Sequence, residues 1–138
     1  MVVLVGLDDS DPAWAALEYA LEHKPDAELH LVHVVNPADT AYGEYAQFGI
    51  DGLLEERRER AERLFDRARS EAGDRADRIE TETRVGLPAR EIVDYAAEVD
   101  ATHVVVGSHG RSGVSRILLG SVAEDVARRS PVPVTVVR

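Results

Sequence analysis

The stretch VVVGSHGRSGVSRILLGSVAEDV, residues 104–126, joins an apolar run to a helical pattern through a loop rich in glycine. Its glycines are Gly107, Gly110, Gly113 and Gly120, and hydroxyl and arginine side chains stand between them. Glycine between a strand and a helix permits positive φ and lets a ligand approach backbone amides that no Cβ shields. The amino terminus of the following helix adds free N–H groups, which suit an anion such as phosphate.

On the residues alone, two functions of this loop stay open. Taken singly, each glycine is explained by a simple turn with solvated serines. The whole set, between a buried strand and a helix, favours a phosphate cradle. Ser121 stands where the last helix is predicted to begin, so it can cap that helix or donate its hydroxyl to a phosphate. Arg111 and Arg116 can add charge-assisted bonds to phosphate oxygens.

Strands and helices alternate along the rest of the chain. Apolar or alternating runs predict strands at residues 2–7, 28–35, 78–85, 102–107 and 132–137. Helical spacing predicts helices that open at Pro12, with Asp11 as the N-cap candidate, and that cover residues 51–72, 89–98 and 122–129. Residues 36–52 are predicted as a long irregular loop. This alternation predicts an α/β domain whose mostly parallel sheet binds ligands beyond the carboxyl ends of its strands.

The charged residues narrow the classes of partner. A formal net charge of -10 argues against nucleic acid or an anionic membrane as the main partner, because both need a cationic surface. The charged positions of the helix at residues 51–72 are interpreted as a solvated face. Asp8, Asp9 and Asp11 form an acidic loop that can cap a helix, bind Mg²⁺ or be solvated, and we favour capping and solvation for Asp9 and Asp11.

Length and composition predict a single domain over residues 1–138. No run approaches the roughly 18 apolar residues of a membrane span, and the apolar start lacks the basic region of a signal peptide. The absence of cysteine excludes disulfide and thiolate chemistry and fits a reducing compartment. We therefore expect a cytoplasmic protein.

Two common nucleotide signatures are absent from the sequence. No GxxxxGK[ST] pattern occurs, and the only lysine, Lys24, lies far from the glycine loop. The segment GLDDSD after the first strand does not supply GxGxxG, which argues against a dinucleotide. A mononucleotide fits better. His30 and His33 lie three apart on a predicted strand, so they point to opposite faces and cannot share a metal.

The spacing of Gly107, Gly110, Gly120 and Ser121 resembles the G-2x-G-9x-G(S/T) motif of the ATP-binding branch of the universal stress protein family. The resemblance extends to VGLDDSD, HVV, VGLPAREIV and SPVPVTVV, and so to nearly the whole chain. It implies a Rossmann-like three-layer sandwich with five parallel strands in the order 3-2-1-4-5. The loops after strands one and four then lie side by side.

The resemblance also implies a nucleotide site. It places Asp8 near the ribose, with Gly6 lining the pocket and the backbone of Val34 at the adenine edge. The loop residues that it places around the sugar and phosphates are Gly107, Ser108, His109, Gly110, Arg111, Ser112 and Gly113, with Gly120, Ser121 and Val122 closing on the phosphates. The implied ligand is ATP, or ADP or AMP, with or without Mg²⁺. Asp9 departs from the family pattern, and its extra charge implies either weaker nucleotide binding or a better place for Mg²⁺.

Three functions follow, in order of preference. The first is an ATP-binding regulatory module of the stress response, with no catalytic residue. The second is a weak Mg²⁺-dependent ATPase or phosphotransferase that uses the same pocket and His109. The third is a nucleotide-free dimeric scaffold, against which the glycine motif counts. A homodimer through strand five is expected in each case, because a short apolar strand at the chain end is a template for a second copy. The sequence names no protein partner.

Overall fold

The computed structural model describes residues 1–39, 42–109 and 119–138, with only the backbone described at 39 and 42–48. Five parallel strands form one sheet in the order β3-β2-β1-β4-β5. They are β1 (Val2–Gly6), β2 (Glu28–Val35), β3 (Ile79–Val85), β4 (His103–Gly107) and β5 (Val134–Val137). The predicted strand order is confirmed, and β3 and β5 are the two edges.

Helices cover both faces of the sheet. They are α1 (Asp11–His23), α2 (Tyr42–Ala72), α3 (Pro88–Glu98) and α4 (Ser121–Arg129), with 3₁₀ turns at Pro37–Asp39 and Gly73–Arg78. Val3 and Val5 of β1 pack with α1 and α2, while Leu4 packs with α3 and α4. These side chains are fully buried, which explains why β1 is apolar without alternation. The predicted three-layer sandwich is confirmed.

The start of α1 differs from the prediction. Ser10, not Asp11, is the N-cap: its backbone is extended, and its hydroxyl oxygen accepts from the Ala13 N–H at 3.3 Å. Asp11 is the first helical residue and Pro12 follows it, which suits a proline because its missing N–H would have no partner there. Serine caps well because its short hydroxyl reaches the first-turn amides.

The segment after β2 also differs from the prediction. The long loop expected at residues 36–52 is wrong, because α2 begins at Tyr42. Only Gly49 leaves the helical conformation there, with φ of 69° and ψ of 174°. A positive φ lies outside the right-handed helical region, so α2 consists of two helical segments joined by a kink at Gly49. The second segment contains the helix predicted at residues 51–72. Throughout the described ranges, no helix is long and apolar enough to cross a membrane.

Candidate functional site

A cleft of about 1180 Å³ opens at the carboxyl ends of the central strands. Gly6 and Asp8 line it beside the end of β1, and Val34 lines it from β2. On the β4 side it is lined by Gly107, His109, Gly120, Ser121 and Val122. Most of the described residues that the sequence placed at the site thus meet in one space. A second cavity, lined in part by Leu21 and Lys24, has a volume of about 10 Å³, which leaves room for one water molecule at most.

Among the described residues that the sequence placed at the site, Ser108 does not line this cleft. Ser108 is buried, with 5% of its surface exposed, and it stands behind the lining. Its N–H donates to the Val137 carbonyl at 2.7 Å, and its own carbonyl accepts from the Gly120 N–H at 2.7 Å. Both ends of the glycine loop are therefore fixed to the sheet. The predicted site residues Gly110, Arg111, Ser112 and Gly113, and Arg116, lie outside the described residues.

Asp8 is held by the turn that leads into α1. Its Oδ1 accepts from the Ser10 N–H at 2.8 Å and also from the Ser10 hydroxyl. Both bonds use the same oxygen, and none of the hydrogen bonds in the described ranges reaches Oδ2. Asp8 therefore has one oxygen that shapes the loop and a second that can accept from a ligand hydroxyl.

The backbone of Val34 faces open space. In a strand the N–H and C=O of one residue point to the same side, and the side alternates along the chain. The Val32 carbonyl accepts from Leu7 N–H at 2.8 Å on the β1 side, while the Val35 carbonyl accepts from Gly86 N–H at 2.9 Å on the β3 side. Val34 therefore points toward β1, but β1 has already ended at Gly6. An adjacent donor and acceptor remain there, which match the amino group and a ring nitrogen of adenine.

The first turn of α4 brings free amides to the cleft. Gly120 is the N-cap and, having no side chain, cannot bond to the first-turn amides as a serine cap would. Ser121 is the first helical residue. Of the two roles that the sequence leaves open for Ser121, capping is therefore excluded, because the extended cap position falls one residue earlier. The first N–H that bonds within the helix is that of Glu124, which donates to the Gly120 carbonyl at 3.0 Å. The amides of Ser121, Val122 and Ala123 precede it, so they and the Ser121 hydroxyl are available to an anion.

Gly107 is a glycine for a reason inside the fold. A Cβ at this position would lie 2.7 Å from the carbonyl carbon of Pro12 and 2.9 Å from the amide nitrogen of Ala13. Real Cβ atoms do not approach backbone so closely, so the missing side chain lets the start of α1 pack on the end of β4. At Gly6 a Cβ would lie 3.4 Å from its nearest neighbours, on Ile92 and Val106, which is ordinary contact.

The remaining wall of the cleft comes from α2, and sequence reasoning missed it. Four α2 side chains line it, which we call the arginine row: Arg57, Arg60, Arg63 and Arg67. The sequence interprets these charges as a solvated face; the structure adds that this side of the helix lines the cleft, where Arg60 and Arg67 remain partly exposed. The spacing of the arginine row, three, three and four residues, is a helical stripe that was visible in the sequence. What the stripe faces follows only from the position of α2 at the carboxyl ends of the strands.

Asp9 is compensated by this same wall. Its Oδ1 accepts from the Trp14 indole N–H at 3.4 Å and lies 3.7 Å from Arg67. The Arg67 guanidinium also stacks over the Trp14 ring, 4.0 Å from its centre. The extra negative charge of Asp9 is thus partly neutralised by Arg67 and accepts a hydrogen bond from the Trp14 indole. Among the described residues, no group of three histidine or acidic side chains could hold a metal ion.

The histidines of β2 point to opposite faces, as predicted. His30 Nδ1 lies 3.1 Å from the Tyr95 hydroxyl oxygen, and His33 Nδ1 donates to the Leu7 carbonyl at 2.9 Å. His33 lines the cleft, and this bond fixes its ring. His109 also lines the cleft, with its Nδ1 3.3 Å from the Ser108 hydroxyl oxygen.

Comparisons with known proteins agree along the full chain. The model of the universal stress protein family matches residues 1–138. Universal stress protein YxiE of Bacillus subtilis is 32% identical over 144 residues, covering 99% of this chain and 97% of YxiE. The solved structure of universal stress protein UspA from Lactobacillus plantarum has a TM-score of 0.85 at 25% identity and covers 100% of this chain and 97% of its own.

Two similar solved structures contain nucleotides. One is a universal stress protein in complex with cAMP, 30% identical with a TM-score of 0.63, and the match covers 100% of this chain and 96% of that one. The other is the universal stress protein from Archaeoglobus fulgidus in complex with dAMP, 27% identical with a TM-score of 0.60, covering 100% and 98%. Structures similar to this chain therefore hold adenine nucleotides.

Proposed function

The chain belongs to the universal stress protein family, and from that premise we propose that it is an ATP-binding regulatory protein of the stress response. The observation that carries the proposal is the cleft, where the amides of the α4 first turn and Asp8 Oδ2, which have no hydrogen-bond partner among the described residues, line one space. Similar proteins with cAMP or dAMP bound support an adenine nucleotide as the ligand class.

Each part of the ligand has a matching group in this proposal. The adenine lies against the open N–H and C=O of Val34. The ribose hydroxyls donate to Asp8 Oδ2, while Gly6 leaves room beside them. The phosphates accept from the amides of Ser121 and Val122 and from the Ser121 hydroxyl, where the helix dipole adds favourable charge. ADP and AMP share the adenine and ribose contacts and the contact of the first phosphate with the α4 amides.

We propose binding rather than hydrolysis as the function. The Ser108 hydroxyl is the only side chain that bonds to His109 in the described ranges, so no carboxylate orients it as a general base. The cleft carboxylates, Asp8 and Asp9, are engaged by Ser10 and by Trp14 and Arg67. Mg²⁺ enters this proposal only with the nucleotide, through the phosphates.

The substitution Asp8→Asn tests the ribose contact. The amide keeps an oxygen for Ser10 and replaces the free acceptor by a donor, so the loop is preserved. We expect ATP affinity to fall roughly tenfold to hundredfold, the effect of one charged hydrogen bond, with 2′-deoxy-ATP losing far less. Calorimetry with both nucleotides measures this difference, and circular dichroism controls for folding. Equal losses for both ligands, or no ATP binding by the wild type, would overturn the proposal.

We also propose that two copies pair through β5 in the cytoplasm. The carbonyls of Pro133 and Val137 accept from β4, so the alternating backbone groups of Val134 and Val136 point outward from the sheet edge. All four residues of β5 are only half-buried. Light scattering should give the mass of a dimer at micromolar concentration and that of a folded monomer for Val134→Asp. A wild-type monomer would contradict the pairing.

A further inference from the structure

We propose that the arginine row of α2 binds the distal phosphates of the nucleotide, so that the cleft selects nucleoside triphosphates over monophosphates. This inference rests on the proposed function and adds a second phosphate-binding wall to it. The amides of α4 hold the first phosphate in both cases. The arginine row then determines how much a longer phosphate chain gains.

The position of the arginine row supports this role. Its members line the same cleft as the first turn of α4, although α2 and α4 cover opposite faces of the sheet. From Arg57 to Arg67 the helix rises about 15 Å, which exceeds the length of a triphosphate chain. A phosphate chain that leaves the α4 amides therefore enters a space with cations along one wall.

The charges of the cleft favour an anion, in contrast to the whole chain. The chain has a formal net charge of -10, yet the described residues that line this space include four arginines and two aspartates. Arg67 is shared between Asp9 and Glu71, and Arg57 and Arg60 both pair with Glu56. These pairs, all formed among the described residues, engage Arg57, Arg60 and Arg67 and do not include Arg63.

Arg63 is the member most open to a ligand. Glu59 lies four residues before it, the favoured spacing for a helical ion pair, and Asp66 lies three residues after it. No ion pair in the described ranges joins Arg63 to either, and Asp66 instead lies 3.7 Å from Arg69. Arg63 lines the cleft, and its guanidinium can donate two parallel hydrogen bonds to one phosphate.

The test compares ATP with AMP on the full chain. The variants are Arg63→Gln and the double change Arg60→Gln with Arg63→Gln. Arg58→Gln is the matched control, because Arg58 is exposed on the same helix but does not line the cleft. Calorimetry gives the affinity of each protein for both nucleotides, and thermal unfolding reports on the fold.

We expect the wild type to prefer ATP to AMP. Arg63→Gln should lower ATP affinity roughly tenfold, the loss of one charged hydrogen-bonding group, and the double variant should lower it further. AMP affinity should change less than about twofold in every variant, and Arg58→Gln should match the wild type.

Three results would overturn the inference. They are equal wild-type affinity for AMP and ATP, an equal loss of both nucleotides in the variants, or an equal effect of Arg58→Gln. In each of these the wild type still binds AMP, so the proposed function survives. A wild type that binds neither nucleotide would overturn both.

Discussion

Arg84 and Arg63 carry the same charge in opposite surroundings. The Arg84 guanidinium lies 3.1 Å from Glu91, 2.7 Å from Glu98 and 3.4 Å from Glu82, and its side chain is 20% exposed. It also lies over the Tyr95 ring, 5.3 Å from its centre. Arg84 is thus surrounded by acids, whereas Arg63 faces the cleft and forms no ion pair with any described residue.

The difference shows in what each charge can do. Burial alone lowers the pKa of Arg84, but the hydrogen bonds that its guanidinium donates to Glu91 and Glu98 outweigh burial, so its pKa is raised. Arg84 stays charged and joins edge strand β3 to helix α3 through these carboxylates. An arginine whose donors are already used stabilises the fold, while one with unused donors can bind a ligand.

The largest expected difference between the two arginines is in the free energy of unfolding after each is replaced. Arg84→Met leaves three carboxylates close together around an apolar side chain. We expect the free energy of unfolding to fall by about 1–2 kcal/mol, at the low end for a broken ion-pair network because Glu98 and Glu82 are partly exposed. Arg63→Gln should change it by less than about 0.5 kcal/mol. Urea denaturation measures both, and equal losses would remove the distinction between the two arginines.

A smaller effect is expected when stability is measured as a function of pH. Both arginines keep their charge over the range used, so they do not contribute to this dependence. His103 differs from them: its Nε2 lies 2.7 Å from the Thr135 hydroxyl oxygen, between β4 and β5. Burial, and then the charge of Lys24, lower its pKa below the usual value of 6.5. The unfolded chain therefore takes up this proton more readily, and the contribution of His103 to stability is complete above about pH 6.5 and is lost as the pH falls.

His103→Gln provides the comparison for that titration. Glutamine keeps a hydrogen-bonding group near Thr135 and does not titrate. Denaturation at pH 7.5 and 5.5 should show a larger fall in stability for the wild type than for the variant. Identical slopes would mean that His103 does not contribute.

Much of the fold follows from local patterns in the sequence. The apolar run of β1 is buried on both faces, and β2 spans Glu28–Val35, the predicted residues. The errors fall where neighbouring positions compete for one role. Ser10 and Asp11 are both good caps, and Gly120 and Ser121 both suit the start of a helix, so only backbone geometry decides between them.

The candidate site was predicted less completely than the fold. Asp8 and Val34 were placed through the family resemblance, and the structure adds a carboxylate oxygen and a backbone edge that no described residue occupies. Helical periodicity shows that Arg60 and Arg63 share a side of α2, but it does not show which surface that side faces. Gly107 was predicted to meet the ligand, and its lack of a side chain is explained by α1 packing instead. Tertiary contacts decide both points.

The bond from the Gly120 N–H to the Ser108 carbonyl gives the glycine loop a closed base. The entropy of closing a loop grows only with the logarithm of its length, about 0.6 kcal/mol for each doubling. By this entropy alone, a change in the number of residues between Ser108 and Gly120 alters the stability of the fold only slightly. The segment between Ser108 and Gly120 can therefore change in length, and with it the ligand preference, while the strands and helices that support it stay the same.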